Sequence, residues 1–144
     1  MLKGLSILGY VGMVIGLLGL VLFRGLFSAS PFVLLAQSVA VLLFVWARFT
    51  FGRRSFHAGA NPTAGGLVTS GPYRFIRHPI YTSVCLFVGA AVAGHFSWQT
   101  AICGGTVLGG ALLRIHCEEI LLRVQYPEHA QYAARSWRML PFVY

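Results

Sequence analysis

The sequence predicts an all-α integral membrane protein: four transmembrane helices, the last two a helical hairpin, in one domain over residues 1–144. Three observations predict this. First, 57% of residues are apolar and 10% are charged, with a mean hydropathy of +0.74; soluble domains carry roughly 25% charged residues. Second, apolar runs of membrane length recur along the chain. Third, ten of the eleven Lys and Arg residues fall on one side of a four-span arrangement. The net charge of +8 lies between apolar runs rather than on a polar surface. A membrane surface therefore explains it better than nucleic acid does.

The first span is residues 4–23, a continuous apolar run. About twenty helical residues cover about 30 Å, the bilayer core. Lys3 before it and FSAS after it leave a cleaved signal sequence as the minority alternative, because the run exceeds a usual signal core. Residues 31–47 form the second span and open on Pro31. Residues 79–94 form the third, opening on Pro79, and residues 100–117 the fourth. The polar link GHFSWQ between the last two reads as the tip of a tight hairpin. Residues 48–78 are then a loop and residues 118–144 a tail.

With this layout Lys3, Arg48, Arg53, Arg54, Arg74, Arg77, Arg114, Arg123, Arg135 and Arg138 share one side, and Arg24 alone lies opposite. The positive-inside rule puts that side, with both termini, in the cytoplasm. Gly9, Gly12, Gly16 and Gly19 line one face of span one, and Gly105 and Gly109 one face of span four. Small residues let backbones approach where lipid gives no hydrophobic drive, so these read as packing faces. Cys85, Cys103 and Cys117 have no metal-ligand spacing and read as small core residues.

Polar chemistry collects in two places. The loop carries the flexible GANPTAGG and then LVTSGPYRFIRHPIY. Pro79 suits the first turn of a helix, and the residue before it, His78, is steered away from helical geometry. Tyr81 sits on that first turn, where free N–H groups favour an anion. The tail holds all three acidic residues, Glu118, Glu119 and Glu128. Arg114–Glu118 and Glu119–Arg123 are each four apart, hence neighbours on a continued helix. The bland readings are a headgroup anchor for the loop and two exposed ion pairs for the tail. Against them stands the cost of charge at a membrane boundary, which often marks function.

LVTSGPYRFIRHPIY followed by a hairpin, EEILLRVQYPEHAQY and MLPF resembles the isoprenylcysteine carboxyl methyltransferase family, itself similar to membrane phospholipid methyltransferases. The resemblance spans residues 67–142. It implies an S-adenosylmethionine-dependent membrane enzyme whose cytoplasmic cofactor pocket is closed by the C-terminal tail. Carried over by position, Leu67, Val68, Tyr73, Arg77, His78, Pro79, Ile80, Tyr81 and Glu118 are the implied cofactor-binding residues. Arg114 and Glu119 are the implied catalytic pair, with Arg114 facing the substrate. The implied partner is a lipid or prenylated acceptor in the bilayer, presenting an isoprenylcysteine-type carboxylate or a phospholipid amine. The short chain and the YPEH of its tail depart from relatives, so the resemblance speaks to the cofactor more than to the acceptor.

Two other readings remain. An NADPH-dependent membrane reductase shares the general architecture but calls for a longer bundle. A non-catalytic membrane subunit would use the basic loop only to hold lipid headgroups.

Overall fold

The computed structural model describes residues 1–52 and 66–142. Arg53, Arg54 and most of the GANPTAGG stretch lie outside the described residues. The order is α1 (Leu2–Leu22), α2 (Pro31–Phe51), a 3₁₀ turn (Gly71–Arg74), α3 (Pro79–Gly94), α4 (Trp98–Gln125) and α5 (His129–Ala133). The described residues contain no strand, only an isolated bridge between Ile76 and Trp137.

Each helix starts where the sequence supplies the means. Pro31 and Pro79 occupy first-turn positions, where a missing N–H costs nothing. Ser97 and Thr100 cap α4 reciprocally: the Ser97 hydroxyl accepts from the Thr100 amide at 3.2 Å, and the Ser97 amide donates to Thr100 Oγ1 at 2.9 Å. That cap makes the link between α3 and α4 shorter than GHFSWQ, because Trp98 and Gln99 already belong to the helix. The other end of α4 also differs from expectation. The helix does not give way to a tail at residue 118 but continues to Gln125, and Tyr126 turns extended ahead of Pro127. Hydropathy falls at Arg114, yet helical hydrogen bonding does not depend on hydropathy. The proline, not the charge, ends the helix.

Three helices, α1, α2 and α4, are long and apolar enough to cross a membrane. With 16 residues, α3 is about 24 Å long, short of the bilayer core. Of the apolar window of α2 only 17% is buried in the protein, and Phe32, Leu35, Leu42 and Phe49 point outward. Such a surface is stable when lipid covers it. This is an integral membrane protein.

Two pairings organise the bundle: α1 lies along α4 and α2 along α3. A Cβ on Gly9 would sit 2.7 Å from the Gly110 carbonyl oxygen, and one on Gly16 2.6 Å from that of Cys103. Side chains there would wedge the helices apart. Gly105 and Gly109, expected on this seam, have open space instead, and Gly110 takes the role. Met13, Leu20, Val88, Val107 and Ala111 form the core, with Cys85 and Cys103 packed against it.

The tail returns to the bundle. After α5 it runs beside the segment leading into α3. The Trp137 amide donates to the Phe75 carbonyl at 2.9 Å, and the amides of Arg77 and His78 donate to the carbonyls of Trp137 and Arg138 at 2.7 and 3.0 Å. Thr82 Oγ1 donates to the Met139 carbonyl at 2.9 Å. Lys3, Arg48, Arg74, Arg77, Arg114, Arg123 and the tail arginines thereby collect at one end of the bundle. Gly25 and Arg24 lie at the other, where Gly25 meets Thr100 at the start of α4.

Candidate active site at the start of the third helix and the last turns of the fourth

The site forms where the start of α3 meets the last turns of α4. His78 stays outside helical geometry (φ −123°, ψ 55°), which aims its imidazole at α4. There it sits between two carboxylates: Nε2 is 3.0 Å from Glu119 Oε1 and Nδ1 is 3.6 Å from Glu118 Oε2. Consecutive helical positions point about 100° apart. Glu118 and Glu119 therefore face two different neighbourhoods, with His78 common to both.

On the Glu118 side, the Tyr81 hydroxyl donates to Glu118 Oε1 at 2.5 Å and accepts from Arg114 Nε at 2.7 Å. Arg114 Nη2 lies 3.4 Å from the same carboxylate. Its Nη1 donates to the Ser6 carbonyl at 3.3 Å, and its guanidinium lies 5.4 Å from the Tyr10 and 5.8 Å from the Tyr81 ring centroid. Arg114 is 5% exposed, whereas the Glu118 side chain keeps 23% of its surface. The open group of this cluster is thus the carboxylate.

On the Glu119 side, Arg77 Nε donates to Glu119 Oε1 at 2.8 Å. Arg77 Nη1 donates to the carbonyls of Ala133 and Ser136, tying the loop, α4 and the tail through one guanidinium. Among the described residues Glu119 Oε2 has no hydrogen-bond partner; it lies 3.8 Å from His129 Nε2 and 3.9 Å from Arg123. His129 is buried, and among the described residues neither of its ring nitrogens has a hydrogen-bond partner. Burial pushes its pKa below the usual histidine range, against the pull of the Glu119 carboxylate. Tyr132 donates to the Tyr73 carbonyl at 2.6 Å. Burial pushes its phenol up to about 12, which keeps it a donor.

Of the residues singled out from sequence, His78, Tyr81, Arg114, Glu118, Glu119 and Arg77 come together in this network. Pro79 is buried at the head of α3, with Ile80 half-buried beside it. Tyr73 is buried in the 3₁₀ turn, its ring 5.3 Å from that of Phe51, and burial raises its pKa above the usual tyrosine range. Leu67 and Val68 are half-buried in the segment before that turn and take no part in the hydrogen-bonded network. Sequence reasoning missed Ser6 and Tyr10, which lie four apart on the face of α1 that meets Arg114. It also missed His129, Tyr132 and Ser136 of the tail. Only the polar breaks in an apolar run pointed to the first two.

Against known proteins, the family of isoprenylcysteine carboxyl methyltransferases matches over residues 31–124, more than half of the chain. The chain belongs to the isoprenylcysteine carboxyl methyltransferase family. The match runs from the start of α2 nearly to the end of α4, so it contains both motif halves of the site and leaves α1 and the returning tail outside. Two curated relatives are the cobalt-zinc-cadmium resistance protein CzcN of Cupriavidus metallidurans and the nickel-cobalt-cadmium resistance protein NccN of Alcaligenes xylosoxydans xylosoxydans. Each is 37% identical over 78 residues, 52% of this chain. The matched stretch covers 35% of the first and 36% of the second. No solved structure matches.

Proposed function

We propose that the protein is an S-adenosylmethionine-dependent methyltransferase acting on a lipophilic acceptor in the membrane. The acceptor presents either a carboxylate of the isoprenylcysteine type or a phospholipid amine. The observation that carries this reading is the Tyr81 hydroxyl, which bridges Glu118 and Arg114 and so joins the RHPIY segment to the EE-bearing helix.

The donor set fits the cofactor. Glu118, partly open, can accept from an ammonium or from ribose hydroxyls. The faces of Tyr81 and Tyr73 suit a sulfonium cation. Free N–H groups at the head of α3 suit a carboxylate, and Leu67, Val68 and Ile80 supply apolar walls. When bound, the cofactor supplies a methyl group activated on sulfur. The residues' own work is alignment and exclusion of water, so no nucleophilic side chain is needed. Arg114, fixed by Tyr81 and by the Ser6 carbonyl, orients the acceptor's anionic group. For an amine acceptor, Glu118 or His78 takes the proton released. Arg77 and Glu119 hold the frame in which these groups meet. Both termini and the site lie on the cytoplasmic side, by the charge distribution, and the α3–α4 pair acts as a hairpin with the tail closing over the cofactor.

Calorimetric titration of S-adenosylhomocysteine into the purified protein in detergent tests this, with NADPH as the parallel ligand. Saturable binding of S-adenosylhomocysteine alone is expected. NADPH binding alone, or binding of neither ligand to folded protein, overturns the reading.

A further inference from the structure

The returning tail encloses a second feature that the methyltransferase reading does not use. Residues 133–138 curl around the Arg77 guanidinium and leave an open recess of about 400 Å³, lined by Arg77, Arg135, Ser136, Trp137 and Arg138 with Ala133 and Ala134. Tyr81, Arg114 and Glu118 are not in its wall. Three guanidinium-bearing residues line one recess, and no acidic residue among the described residues lines it. Glu119, which Arg77 holds at 2.8 Å, is itself buried and outside this lining. A concentration of guanidinium groups recognises phosphate oxygens; the Ser136 hydroxyl is committed to the Tyr132 carbonyl at 2.7 Å and only lines the wall.

The rim says which phosphate. Trp137 (41% exposed) meets Phe142 (86% exposed) in a tilted ring contact, centroids 5.3 Å apart, and Phe75 and Leu140 are also exposed. The Arg74 guanidinium lies 5.9 Å from the Phe75 ring centroid. Trp is enriched where protein meets the membrane–water interface, and arginines there meet anionic headgroups. Free phosphate has no use for an apolar rim, whereas a glycerophospholipid presents its phosphate beside its own apolar body.

We propose that the tail recess is a binding site for the phosphate of an anionic glycerophospholipid, held by Arg135 and Arg138 and bordered by Trp137 and Phe142. The tail is thereby docked on the bilayer surface while it packs on the α3 head. This site shares Arg77 with the Glu119 network but includes none of Tyr81, Arg114 and Glu118, and it stands whether or not the cofactor cluster binds S-adenosylmethionine.

The test is the unfolding midpoint of the full chain in detergent, titrated with phosphatidylglycerol, with phosphatidylcholine and with inorganic phosphate. Phosphatidylglycerol is expected to raise the midpoint saturably, and the other two to do so much less. In R135Q/R138Q the apparent phosphatidylglycerol affinity is expected to fall about fivefold per arginine removed, about 1 kcal/mol each. R24Q removes a charge at the opposite end of the bundle and is expected to keep the full response. Should the double variant not fold, R135Q alone, at an exposed position, is expected to show its single fivefold loss. The proposal is overturned if the arginine variants keep the native response, if R24Q loses as much as they do, or if inorganic phosphate alone reproduces the shift. It is also overturned if R135Q/R138Q loses S-adenosylhomocysteine binding, since the recess would then be part of the cofactor site. Failure of native protein to bind S-adenosylhomocysteine strikes the methyltransferase reading and leaves this one standing.

Discussion

Tyr81 and Glu118, from different helices, share a 2.5 Å hydrogen bond, and the same Tyr81 oxygen accepts from Arg114 at 2.7 Å. One phenol oxygen therefore fixes both the carboxylate expected to meet the cofactor and the guanidinium expected to meet the acceptor. Tyr81→Phe removes both bonds while keeping the ring. Hydrogen bonds to charged groups are worth about 1.5–3 kcal/mol, so S-adenosylhomocysteine affinity is expected to fall about tenfold or more with the fold intact. Unchanged affinity by calorimetry would place the cofactor away from Tyr81.

The two glutamates are expected to separate by phenotype. Glu119 is 3% exposed and accepts from both Arg77 and His78. Glu119→Ala strands a buried guanidinium and is expected to cost about 3 kcal/mol or more. It is also expected to free the tail, so limited trypsin digestion should cut earlier at Arg135 and Arg138. Glu118→Gln, at a partly open position, is expected to cost less than about 1 kcal/mol while lowering S-adenosylhomocysteine affinity. The same loss of stability in both variants would refute the division of labour.

Adjacent glycines on α4 are expected to behave oppositely. A Cβ on Gly110 would meet the Gly9 carbonyl, and Met13 Cγ at 2.9 Å, whereas one on Gly109 would meet nothing. Gly110→Ala is expected to destabilise by about 1–3 kcal/mol and Gly109→Ala to stay within about 0.5 kcal/mol of the parent, both read from thermal unfolding in detergent. A neutral Gly110→Ala would mean that α1 and α4 do not cross there.

Acid is expected to loosen the tail. His129 is buried among Glu119, Arg77, Arg123 and His78, and burial lowers its pKa from the ordinary 6.5. A lowered folded-state value means the unfolded chain binds the extra proton first. Its contribution to stability is therefore complete above 6.5 and is lost as pH falls below that value. Unfolding midpoints measured through this range should drop in the parent and drop less in His129→Gln. Equal slopes in the two proteins would exclude His129 as the titrating group.

Local features were legible in the sequence. Pro31 and Pro79 mark true helix starts, and His78 is non-helical before proline. The pairs Arg114–Glu118 and Glu119–Arg123 do lie within 3.4 and 3.9 Å, as their spacing on a helix requires. What a linear reading could not supply was which residue each member of these pairs also meets. Glu119 is held by Arg77 and His78 from the loop, and Arg114 by Ser6 and Tyr10 from α1. Those partners are set by the Gly9–Gly110 crossing and by the tail's return, which are tertiary facts without a local signature. The family match, from residue 31 to residue 124, likewise leaves α1 and the returning tail out.

The unbroken run of α4 has a consequence for insertions and deletions. Its 28 residues extend about 42 Å, so a single rigid rod begins at the Ser97 cap and carries Arg114, Glu118 and Glu119 to the far boundary of an about 30 Å core. Adding one apolar residue upstream of Arg114 would leave composition and hydropathy almost untouched. It would raise the three side chains by about 1.5 Å and swing them by about 100°, out of phase with Tyr81 and Arg77. The number of residues between Ser97 and Glu118 is thus a gauge in its own right, setting depth and bearing together. Length in this helix is under a constraint that residue type alone does not reveal.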